Sequence, residues 1–210
     1  MARFQQIDAL LRPIHSYIQP DDECYFLYER TSGRDYTYSN ANNLISNLKK
    51  KPSTRATGQW RHKVHAMGQC SKALSEAINA EWLETGTLVP VPPSKIVGEA
   101  EYDNRMQKIC ENIPVDFDID VRNLVVQTES YNASHESDDR ITVDELLDIY
   151  EIDEDITEPA PTAIAIVDDV LTAGVHYRAM NTILSLRFPD IPIIGIFIAR
   201  RVFADPIEEF

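Results

Sequence analysis

The stretch AIAIVDDVLTAGVHYRAM, Ala163 to Met180, decides the fold. An uninterrupted apolar run ends in two adjacent aspartates, Asp168 and Asp169, and a short loop with one glycine leads into a helix-like segment. A run apolar at every position fits a parallel strand covered on both faces better than a half-exposed antiparallel one. The segment HYRAMNTILSLRF then reads as a helix stopped near Pro189, and IPIIGIFIA as a second buried strand. Strand, helix, strand within residues 163–199 is a βαβ unit, so the expected class is α/β with a parallel sheet.

In such sheets ligands collect beyond the carboxyl ends of the strands, which is where Asp168 and Asp169 are expected. Adjacent residues of a strand point to opposite faces, so the two need not share one task. Residues 171–176 lead into a helix whose first N–H groups have no partner inside the helix and can meet phosphate oxygens. Gly174 permits close approach or an unusual dihedral, and Thr172 adds a hydroxyl. Carboxylates that accept from hydroxyls, next to a loop that wraps phosphate, imply one substrate carrying both a diol and a phosphate, with an acidic strand end followed by an ordinary helix cap as the plainer alternative.

Upstream, TLVPVPP (residues 87–93) reads as a short strand running into a turn, because its prolines cannot continue a central ladder. A helix is expected near 99–111 with Tyr102, Met106 and Ile109 on one side, and a strand at 123–128. Thr142 and Glu145 form a capping-box pattern ahead of Leu146, Leu147 and Ile149. Residues 151–161 read as an acidic connector. In the N-terminal part, residues 4–18 suggest a short amphipathic helix through Phe4, Ile7, Leu10, Leu11 and Ile14. CYFLYERTSGRDYTYS suggests two strands around Ser32-Gly33, and a long helix is expected from about Trp60 to Leu83 with Val64, Met67, Leu74, Ile78 and Trp82 as its apolar stripe. The expected organisation is a hood or appendage with the first core helix in residues 1–84, and an α/β core in residues 85–210.

The 210 residues carry 20 basic and 34 acidic side chains, a formal charge of −14. That balance argues against a general binder of nucleic-acid backbone, and leaves room for a small anion in a local pocket. Residues 49–72 are locally basic without an acid, and read as a solvated loop and helix face. Three widely spaced cysteines without a CxxC pair fit a reducing compartment, and no apolar run reaches spanning length, so the expectation is a cytoplasmic protein without membrane contact.

AIVDDVLTAGVH resembles the ribose-phosphate loop of the type I phosphoribosyltransferases: an apolar strand, two acidic residues, then a small Gly- and Thr-rich loop. The resemblance implies that Asp168 and Asp169 hold the ribose hydroxyls of phosphoribosyl pyrophosphate (PRPP) and take part in catalysis and Mg²⁺ binding. Thr172, Ala173, Gly174, Val175 and His176 would form the 5-phosphate loop. TLVPVPPSKIVGEAEYDNRMQKI resembles the pyrophosphate-loop region of the ComF-like branch, with Lys95 and Arg105 as the implied cations. Gln127 and Arg140 match a further segment of that branch loosely. The whole resemblance covers roughly residues 85–203 and implies a parallel-sheet phosphoribosyltransferase-like core with a small N-terminal hood. The implied activity is phosphoribosyl transfer from PRPP, with Mg²⁺, to a base or amine, with release of pyrophosphate.

The chain departs from the pattern at Ala173, where the family has threonine, and at His176, where it has a hydroxyl residue. His176 replaces one of the lost donors best when protonated. Asp103 beside a diphosphate is unfavourable unless it binds Mg²⁺ or points away. Tyr25, Phe26, Tyr28, Tyr36 and Tyr38 are candidates for a hood that stacks on a base, with sheet packing as the plainer alternative. His135 and Glu136 lie in a polar segment suited to closing over the site. The competing readings are an inactive PRPP- or nucleotide-sensing regulator and an interaction protein on the same scaffold, with a protein partner or a second copy. A P-loop hydrolase is disfavoured because no G-x-x-x-x-G-K-[ST] occurs.

Overall fold

A computed structural model describes residues 1–131 and 141–204. His135, Glu136 and Arg140 lie outside the described residues. Six strands form the main sheet: β1 (Gln5–Gln6), β2 (Glu23–Ser32), β3 (Thr87–Pro90), β4 (Asp120–Val121), β7 (Ile164–Leu171) and β8 (Ile193–Phe203). Their order is β1-β2-β8-β7-β3-β4, and every pairing is parallel except β1 with β2. A separate antiparallel pair is made by β5 (Val125–Gln127) and β6 (Tyr150–Ile152).

Helices cover both faces. On one lie α5 (Val143–Ile149) and α6 (Val175–Arg187), whose Leu146, Tyr177, Met180 and Leu184 pack with Ile164 and Ile166 of β7 and Phe197 of β8. On the other lie α1 (Asn40–Leu48), α2 (Trp60–Ala77), α3 (Ala80–Thr85) and α4 (Arg105–Glu111). There Leu48, Cys70, Leu83 and Ile109 pack with Ala165 and Val167 of β7. Ile164 to Val167 are all at 0% exposure, which is why that strand reads as a continuous apolar run rather than an alternating one. Gly195 lets the Tyr177 ring lie against the sheet; a Cβ there would come within 2.8 Å of the ring and 2.9 Å of Cys24 Sγ.

The α/β class, the βαβ unit, the proline-ended β3 and the Thr142–Glu145 capping box all form as read. The N-terminal part differs. Residues 4–18 make β1 and a single 3₁₀ turn at Arg12–Ile14 instead of an amphipathic helix. The Asp8 carboxylate accepts from the amides of Leu10 and Leu11 at 2.9 and 3.0 Å, an arrangement that competes with helix, and Leu10 is 85% exposed. The expected hairpin around Ser32-Gly33 is one strand, β2, paired in parallel with β8, so the N-terminal part contributes to the main sheet. Its continuation is stopped by buried Asn42, whose side chain accepts from Thr31 N at 2.9 Å and donates to the carbonyls of Thr31 and Arg34, each at 3.0 Å. Phe26 is core, whereas Tyr36 and Tyr38 are exposed. The long helix is two: α2 ends at Ala77, and Asn79 caps α3 through the amides of Glu81 and Trp82. The inward face of α2 is Lys63, Ala66, Cys70, Ser71, Ala73 and Leu74; of the expected stripe Leu74 is buried, whereas Val64 faces outward.

Candidate functional site

The sheet order creates one crevice. From β3 the chain passes through α4 to β4, and from β7 through α6 to β8. Those two connections leave the adjacent strands β3 and β7 in opposite directions and on opposite faces. The carboxyl ends of β3 and β7 therefore form a topological switch point, where open α/β sheets bind ligands. β3 pairs with β7 only as far as Pro90–Val167, while β7 continues beside β8 to Leu171. Asp168 and Asp169 lie just past the end of β3, where β7 is paired on its β8 side alone.

The two aspartates do different things. Asp169, on the α4 face, is buried with 6% of its side chain exposed. Its Oδ1 lies 3.2 Å from Lys49 Nζ, and its Oδ2 accepts from Arg105 at 2.5 and 3.1 Å. Burial alone would raise its pKa, but Lys49 and Arg105 outweigh that and hold the carboxyl well below its ordinary value. Arg105 also donates to Asp103 at 2.7 Å, and Asp103 accepts from Lys63 Nζ at 2.6 Å. Lys63, only 1% exposed, spends its other two donors on the carbonyls of Leu48 and Lys50, closing the C-terminal end of α1. The result is a partly buried lattice of Lys49, Lys63, Arg105, Asp103 and Asp169. The basic segment read as a solvated face thus supplies two of its members, and Asp103 is held in place by Lys63 and Arg105.

Asp168 belongs to the opposite, α6 face. Burial and the neighbouring Asp169 charge push it up to about 7, with Lys49 and Arg105 opposing. No cation contacts it directly among the described residues; its Oδ1 accepts from the Asp169 amide at 2.7 Å. Tyr131 and Tyr150 lie close enough to feel its charge, and His176 lies against both tyrosines. The Tyr150 hydroxyl is 3.2 Å from His176 Nδ1, and the Tyr131 ring stacks on His176 at 6.1 Å. Burial lowers His176 to about 4, so it stands here as a neutral ring rather than the cationic phosphate donor the sequence suggested.

A pH dependence follows. A carboxyl raised from 3.8 to about 7 takes up a proton more readily folded than unfolded, so its contribution to stability is full below pH 4 and is lost as pH rises towards 7. His176 works oppositely, since a base depressed from 6.5 to about 4 loses its contribution as pH falls through that window. Comparison with Asp168→Asn isolates the first effect. The variant should gain in unfolding midpoint relative to wild type between pH 5 and pH 8, and a constant difference across that range would contradict the assignment.

The loop after β7 is anchored by its carbonyls. Buried His15 donates Nδ1–H to the Thr172 carbonyl at 2.5 Å, and the Tyr17 amide donates to Ala173 O at 2.9 Å. Arg178 of α6 donates to Tyr17 O at 3.1 and 2.9 Å and pairs with Asp22, so residues 15–22 clasp both loop and helix. Gly174 sits at φ +95°, and a Cβ there would meet Ile18 Cδ1 at 3.1 Å. Val175 and His176 open α6, where helical amides lack internal partners. Thr172 is exposed.

Of the two cations assigned to a pyrophosphate, Arg105 is drawn into the Asp169 lattice. Lys95, half-buried, lines a cavity of about 220 Å³ beside the proline-rich loop, whose wall also includes Asp103. Gln127 also lines that cavity; its Nε2 donates to Ser94 O at 3.1 Å. Lys49, Lys63, Tyr131, Tyr150 and the clasp of residues 15–22 went unread in the sequence as site residues. Among the described residues there is no group of three or more His, Cys, Asp or Glu side chains suited to a metal, and no helix is long and apolar enough to cross a membrane. No protein-family model matches the chain, and no curated protein matches it significantly.

Proposed function

We propose that the chain binds the ribose phosphate of PRPP at the β3/β7 switch point and transfers the phosphoribosyl group to a nitrogen acceptor. The observation that carries this reading is the pairing of Asp168, a carboxyl that no cation contacts among the described residues, with a loop whose carbonyls are tied down and whose amides open onto a helix N-terminus. The ionised Asp168 accepts from the ribose hydroxyls. The amides of residues 173–176 meet the 5-phosphate, and Gly174 lets them converge. A nitrogen lone pair of the acceptor forms the bond to C1 as the bond from C1 to the diphosphate oxygen breaks. The electron pair departs on the diphosphate, and the nitrogen's proton passes to water.

Mg²⁺ fits such a site with Asp168 as its protein ligand, because Mg²⁺ keeps several waters and needs one or two carboxylates beside the phosphates. When bound it would offset charge on the leaving diphosphate. Asp169 has both oxygens engaged, and its part is to hold Arg105 and Lys49 at the edge of the crevice.

That engagement favours a second reading, in which the chain binds PRPP without turning it over and signals its level. Diphosphate release, measured with PRPP, Mg²⁺ and a panel of bases and amines, separates the two. Release above the rate of an Asp168→Asn variant supports transfer. Saturable binding with release no faster than in the variant supports the sensor.

A further inference from the structure

The cavity beside the proline-rich loop has a feature the ribose-phosphate reading does not use. Gln127 Oε1 is buried and has no hydrogen-bond partner among the described residues. A buried acceptor left unmade costs about 1–3 kcal/mol, so a ligand that supplies a donor gains what the free protein forgoes. Its orientation is fixed: Nε2 donates to the Ser94 carbonyl, and a flipped amide would set two oxygens against each other. The cavity opens directly off the switch point, because its wall begins at Pro90 and Val91, whose neighbours on β7 precede Asp168.

The rest of the lining gives the ligand's character. Pro92, Pro93, Val125 and Ile156 make apolar walls. The charged lining groups Lys95 and Asp153 are opposite in sign, and Asp103 is already spent on Lys63 and Arg105. A neutral molecule is therefore favoured over an ion. About 220 Å³ is below the roughly 300–1,000 Å³ of sites for drug-sized ligands, so the occupant is one or two rings rather than a nucleotide or peptide.

We propose that this cavity binds a neutral nitrogen heterocycle of single-base size, which donates a ring or exocyclic N–H to Gln127 Oε1. Its role as the acceptor rests on the phosphoribosyl reading; the binding itself does not.

The test is calorimetric titration with adenine, hypoxanthine and uracil, each beside its N-methylated counterpart, without PRPP. At least one of the three should saturate the protein. Its methylated counterpart should bind at least tenfold more weakly, and Gln127→Leu should lose a similar factor. Circular dichroism checks that the leucine variant folds, and the methylated ligands test the same contact on wild type if it does not. Failure of all three bases to bind folded protein, or equal binding of the methylated forms, overturns the proposal. PRPP binding measured in parallel keeps the two readings apart, since either site can fail while the other holds.

Discussion

Replacing Asp169 with asparagine will lower the stability of the protein by about 3 kcal/mol at neutral pH, while Asp168→Asn will cost little or raise it. The two changes are chemically identical and one residue apart. Breaking a buried pair by removing one partner costs about 3–5 kcal/mol, because an uncompensated charge stays behind. Asp169→Asn takes the counter-charge from Lys49 and half of it from Arg105, whose side chain is only 22% exposed. Lys49 can partly recover by turning to water, which places the expectation at the lower end. Among the described residues Asp168 contacts no cation directly, and its charge is already opposed by burial and by Asp169. Urea midpoints at constant slope measure both losses. Equal losses in the two variants would show that the lattice is not centred on Asp169.

Lys63→Met will cost about 2–4 kcal/mol although it places an apolar side chain in an apolar helix face. The ammonium's three donors are all used, at 2.8 Å to Leu48 O, 2.7 Å to Lys50 O and 2.6 Å to Asp103. Methionine fills the stem's volume, but it leaves two carbonyls at the end of α1 without their donor and Asp103 with Arg105 alone. Arginine should not restore stability, since a planar fork cannot reproduce three bonds radiating from one nitrogen. Chemical denaturation of both variants tests this, and a Lys63→Met loss under about 0.5 kcal/mol would mean the ammonium is dispensable.

These two positions also mark the limit of what sequence conveys. β7 was legible because burial on both faces demands an apolar residue at every position, a pattern that a half-exposed strand or an amphipathic helix does not produce. The capping box and the proline-ended strand were legible because their chemistry is local. Lys49 and Lys63 were not. A lysine's burial depends on partners brought by other elements, here Asp169 from β7 and Asp103 from the loop before α4, and in sequence both look like part of a solvated basic stretch. Asn42, which takes the place of a second strand after β2, is hidden for the same reason. The helix expected at 4–18 failed because spacing alone carried it, against Pro13 and the turn-forming carboxylate of Asp8. The aspartate pair was found as a pair, but its division of labour depends on which strand neighbours stop first, and that is a property of the sheet.

The central claim is that Asp168 and the loop from Thr172 to His176 hold a ribose phosphate. The most direct measurement is calorimetric titration with PRPP, with and without Mg²⁺, at pH 6 and pH 8, for wild type and Asp168→Asn. The account predicts saturable, Mg²⁺-dependent binding that strengthens towards pH 8 as Asp168 ionises, and that weakens at least tenfold in the variant. Absence of binding in folded wild-type protein, or equal affinity in the variant at both pH values, would contradict it.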